Sequence, residues 1–156
     1  MRSTQGMRSA VVGGLLVSLL TAGCGSFSVT PRPGASSDIL AELAVRGAQV
    51  TDVTSGDPGC QSPELVGNAV RARVAIPGDE EPRLVHLLVF RNGSALQAAA
   101  AEIASCRQEV AADNGDADID VVEVSPYSAF GPDWSPEFER FLESAMRTTV
   151  EGSRRP

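Results

Sequence analysis

The sequence predicts an α+β domain, a two-layer sandwich. A mainly antiparallel sheet of about four strands carries two longer helices. Three observations predict it. In residues 68–76, Val70, Ala72, Val74 and Ile76 face one way and Arg71 and Arg73 the other, the period-two mark of a half-buried strand. In residues 138–150, Phe138, Phe141, Leu142, Ala145, Met146, Thr149 and Val150 fall on one helical stripe. The inferred order helix-strand-strand-strand-helix-strand-helix lacks the strand-helix alternation of a parallel sheet. The chain has 156 residues, 42% apolar and 21% charged, enough for one packed domain, placed at 37–152 with a tail at 153–156.

Each element has its own signature. Ser37 caps a first short helix, with Ile39, Leu40, Leu43 and Ala44 on its apolar face and Gly47 at its end. Residues 48–54 (AQVTDVT) read as a strand. Residues 55–63 (SGDPGCQSP) are turn chemistry and hold Cys60. Residues 68–76 form the alternating strand, and 77–82 (PGDEEP) form a hairpin loop. Residues 83–91 (RLVHLLVFR) are apolar on both parities, as in a strand covered on both faces. Ser94 and Gln97 fit a capping box for one helix over 95–112, with Cys106 on the edge of its stripe. Residues 117–124 (ADIDVVEV) are a further strand, and 125–134 (SPYSAFGPDW) an aromatic-bearing loop. Ser135 caps the last helix, with Pro136 at its first position, where a missing N–H costs nothing.

Composition narrows the chemistry. Thirteen basic residues, all Arg, meet twenty acidic ones, a net charge of −7. Nucleic acid is a poor partner for that balance. The lack of Lys removes Schiff-base and Walker-type chemistry. No Gly-x-Ser-x-Gly elbow and no His-Glu-x-x-His stand in the sequence. The acidic run 113–120 has calcium-loop spacing at its start. Counted from Asp116, though, its sixth and twelfth positions are Val121 and Tyr127, so the loop pattern fails. No metal or cofactor is expected.

The first 24 residues carry the address. Arg2 and Arg8 precede an uncharged stretch, Ser9 to Gly23, whose apolar core spans residues 10–20. At ~1.5 Å per residue that core reaches only ~17 Å, too short for a bilayer about 30 Å thick. It reads as the core of a signal peptide, residues 1–23. Leu20-Thr21-Ala22-Gly23-Cys24 resembles the lipobox of bacterial prolipoproteins, with Thr21 where that family usually has Leu, Val or Ala. The resemblance implies cleavage before Cys24 and acylation of its thiol. The partner is then the lipid bilayer, on the extracytoplasmic face of the cell membrane. Cleavage removes Arg2 and Arg8 but no acid, so the charge moves from −7 to −9. Anionic head groups repel such a body, and attachment rests on the acyl chains. Residues 24–36 are a Gly/Ser/Pro-rich tether.

With Cys24 acylated, Cys60 and Cys106 remain as an even pair in an exported protein, and a disulfide between them is expected. The alternatives are free thiols or, more weakly, a metal site, since no His stands near either Cys in sequence. His86 is the only imidazole. Its functional reading is a general base; its ordinary reading is a strand histidine capped by a neighbour. Tyr127, Phe130 and Trp134 form the candidate binding surface, on an exposed loop. The other reading has them folding back as a lid on the core, with Trp134 against the last helix. Arg71 and Arg73 either meet an anionic ligand or pair with surface acids. The segment from His86 to Cys106 (HLLVFRNGSALQAAAAEIASC) resembles a strand-helix-Cys unit of actinobacterial extracytoplasmic lipoproteins, including sensor domains like the external part of mycobacterial receptor kinases. That resemblance implies a non-enzymatic module. The missing catalytic motifs and the tether point to a binding or sensing role, toward an envelope protein or a small molecule. The competing readings are a small cell-envelope hydrolase using His86 and a purely structural envelope protein.

Overall fold

A five-stranded antiparallel sheet organises the chain. The computed structural model describes residues 35–153. The expected leader at 1–23, Cys24 with most of the tether, and the tail beyond Ser153 lie outside the described residues. The elements are α1 (Ser36–Val45), β1 (Gln49–Ser55), α2 (Pro63–Val66), β2 (Ala69–Ile76), β3 (Asp79–Val89), α3 (Gly93–Ala98), α4 (Ala100–Asp113), β4 (Ile119–Val124), β5 (Tyr127–Pro132) and α5 (Pro136–Gly152). The strand order is β1-β2-β3-β5-β4, and every neighbouring pair is antiparallel.

The α+β class and the antiparallel sheet agree with the sequence reading, but the two-layer arrangement is corrected. Successive residues of β3 feed opposite cores, as the two-residue period of a strand requires. Val85 and Leu87 pack with Leu43, Leu142 and Met146 under α1 and α5. Leu88 and Phe90 pack with Leu96, Ile103 and Val110 under α3 and α4. The two longer helices therefore lie on opposite faces, and the layers number three. This also explains why β3 is apolar on both parities.

The fifth strand is a second correction. Residues 127–132 were expected as loop, because Gly131 and Pro132 are turn residues. They form β5, buried along almost all its length between β3 and β4. Gly131 is there because the β3 backbone and the Trp134 indole both press on it; a Cβ would collide with the Leu84 carbonyl oxygen and stand 2.8 Å from the indole Nε1. Pro132 ends the strand, where its missing N–H breaks little.

Smaller shifts follow from local bonds. The loop expected at 77–82 shrinks to a tight turn with Gly78 at φ +91°, and β3 starts at Asp79. The helix expected over 95–112 is two helices meeting at Ala99. Its cap is Asn92, whose side chain accepts from the Ala95 N–H at 2.9 Å, not Ser94. The first helix starts after Ala35 rather than at a Ser37 cap, and the Asp38 carboxylate accepts from the Ala35 N–H. The Ser135 cap is as read: its hydroxyl oxygen accepts from the Phe138 N–H at 3.1 Å. Residues 55–63 hold the start of the one-turn helix α2.

Candidate functional site

The three aromatic residues expected on an exposed loop are core residues. Tyr127, Phe130 and Trp134 are 1%, 0% and 6% exposed, so no aromatic binding surface stands there. Strand alternation separates them. Tyr127 and Trp134 join the α1/α5 core, while Phe130 joins the α3/α4 core. The Trp134 N–H groups are both used: the indole donates to the Leu84 carbonyl at 3.0 Å and the backbone to Asp120 at 2.6 Å. The ring lies 5.2 Å from Phe138 on α5, so it lids the core as the alternative reading held. Burial raises the Tyr127 phenol above its usual pKa. A hydrogen bond with Ser153 opposes this and the Asp38 carboxylate adds to it.

The remaining candidates converge beside the loop 56–62. Cys60 and Cys106 are disulfide-bonded, with Cα atoms 5.2 Å apart. The bridge ties the loop to the middle of α4, where Cys106 is wholly buried. His86, on β3, lies directly beneath the loop and is 2% exposed. Its ring is stacked on Phe130, its cross-strand partner, with centroids 5.3 Å apart. The backbone of Gly59 covers the other side. A Cβ at Gly59 would stand 2.6 Å from Nδ1 and 2.9 Å from Nε2, so only glycine fits, and its φ of +82° suits glycine as well. Neither ring nitrogen of His86 has a hydrogen-bond partner.

An open cleft of about 660 Å³ borders this loop. Asp57, Gly59, Cys60, Gln61, Arg71 and Glu109 line it. Arg71, the cross-strand neighbour of His86 on β2, pairs with Asp57 at 3.1 Å, and Arg73 pairs with Asp52 at 3.8 Å. Both arginines thus meet surface acids, as the second of their two readings held. The Gln61 N–H donates to Glu109 at 2.9 Å.

Electrostatics at His86 follow from this enclosure. Burial lowers its pKa from 6.5 to about 4; the Asp57 carboxylate opposes the shift and Arg71 adds to it. The ring is neutral at physiological pH and sealed from solvent. Sequence reasoning found Cys60, Cys106 and His86 but missed Gly59 and Glu109 as their neighbours. The Asp57-Pro58-Gly59 run signals a turn, and nothing in it announces the imidazole it will cover.

Together these features define a small α+β domain with a disulfide-pinned loop over a buried histidine. No family model, curated protein or solved structure matches the chain. Among the described residues, no group of three or more His, Cys, Asp and Glu could hold a metal ion, and no helix is long and apolar enough to cross a membrane.

Proposed function

We propose that the chain is an extracytoplasmic lipoprotein, anchored through acylated Cys24, whose folded part is a non-catalytic binding or sensing module. The observation that carries this reading is the cysteine pairing. The Cys60–Cys106 bond accounts for two of three cysteines and suits an oxidising compartment. The third, Cys24, follows the uncharged stretch from Ser9 to Gly23 at a junction of small residues. The cleft beside the loop 56–62, with Arg71 among acids, is the surface offered to a polar ligand or an envelope partner.

The hydrolase alternative asks His86 to accept a proton from a serine. A buried imidazole with no partner on either nitrogen argues against it. The test is fractionation of cells expressing the full chain and its Cys24→Ser variant. The unaltered protein is expected to stay with membranes through a carbonate wash, and the variant to leave them. A variant that pellets as fully as the parent overturns the anchor.

A further inference from the structure

The loop over His86 has one covalent fastening, and that fastening borders the open cleft. Gly59 on one side and Phe130 on the other sandwich the imidazole. The other ties on the loop are weak. Gln61 donates to Glu109 at an exposed position, and Asp57 meets Arg71 across a partly exposed gap of 3.1 Å. Gly59 donates only to the Asp57 side chain of the same loop. Among the described residues, no backbone-to-backbone hydrogen bond joins residues 57–61 to the sheet or to α4. At the loop's ends the Gly56 N–H donates to the Ala69 carbonyl at 2.8 Å and Ser62 is buried; between them, with Pro58 tucked inward, the Cys60–Cys106 bond is the covalent hold. Its two ends differ: Cys106 is wholly buried, whereas Cys60 is half-buried and lines the cleft.

We infer that this disulfide is a reducible latch. Opened by a dithiol reductant, it lets the loop 56–62 lift from His86, while the sheet and both helix layers stay folded. A thiolate of the reductant enters from the cleft and attacks Cys60 Sγ. The Sγ–Sγ bond breaks, and its electron pair leaves on Cys106 Sγ, which takes a proton. The second thiolate of the reductant then attacks the mixed disulfide. Cys60 leaves, takes a proton, and the reductant departs as its own disulfide. Two electrons pass to the protein, and the dithiol is oxidised. The opened site offers a neutral imidazole with both nitrogens free, backed by the Phe130 ring. This inference is independent of the lipid anchor.

Diethyl pyrocarbonate tests it cleanly, because the chain has a single histidine. The full chain and its Cys60→Ser/Cys106→Ser variant are treated with the reagent, and the His86 adduct is followed by mass. The variant is expected to react at least ~10-fold faster, and faster than the global unfolding reported by amide exchange in β3, β5 and α5 allows, as for a local opening. Equal rates overturn the latch. If the variant does not fold, the parent chain is reduced with dithiothreitol, alkylated and assayed in the same way. A His86 rate there no faster than core opening, or loss of the cooperative urea transition, overturns the inference, since reduction would then unfold the domain rather than open a loop.

Discussion

The imidazole of His86 pays a desolvation cost that the fold never recovers through hydrogen bonds. Its pKa falls from 6.5 to about 4 on folding, chiefly by burial. Between those pH values the unfolded chain binds a proton that the folded chain refuses. Stability from this group is therefore complete above pH 6.5 and declines by about 3 kcal/mol as pH drops to 4. A His86→Leu chain lacks that decline. Urea unfolding at pH 7 and pH 4 should show the variant gaining on the parent by about 3 kcal/mol at the lower pH. A gap that stays constant between the two pH values would count against a buried, neutral ring. Gly59 presents the complementary constraint. The glycine reads from the sequence as a turn residue, but its reason for being glycine is an imidazole from another strand, which no local pattern reports.

Elements whose signals are local were legible, and those decided by tertiary contact were not. The last helix was readable because Ser135, Pro136 and the 3.6-residue stripe all lie within the segment itself. The alternation in β2 was readable for the same reason. Strand β5 was hidden: its Gly131 answers to the Leu84 carbonyl and to Trp134, and its burial comes from β3 and β4 on either side. The break at Ala99 likewise has no Gly or Pro to mark it. The candidate site divides in the same way. The cysteine pair followed from counting, whereas the burial of Tyr127 and Phe130 depended on the strand that went unseen. The Ser135 cap gives a direct test at this scale. Ser135→Ala removes the acceptor for the Phe138 N–H and should cost about 1 kcal/mol by urea midpoint, with the slope unchanged. No loss would mean that Pro136 and the first-turn acids Glu137 and Glu139 start the helix unaided.

For the whole molecule, the bridge between Cys60 and Cys106 closes a sequence separation of 46 residues. In the loop-entropy model such a closure contributes about 4 kcal/mol through the unfolded state. Removing it in the Cys60→Ser/Cys106→Ser chain should lower the unfolding free energy by about that amount, and domains with a typical 5–15 kcal/mol would still fold. A loss near zero would mean the unfolded chain is already held compact over that span. The three-layer build also has a practical result. The only tryptophan belongs to the core under α1 and α5, and the only histidine faces the core under α3 and α4. Nature has thus left one optical reporter and one magnetic reporter on opposite sides of a shared wall. Indole fluorescence and the imidazole proton resonance, followed together through a melt, would reveal whether the two halves surrender in concert or one after the other.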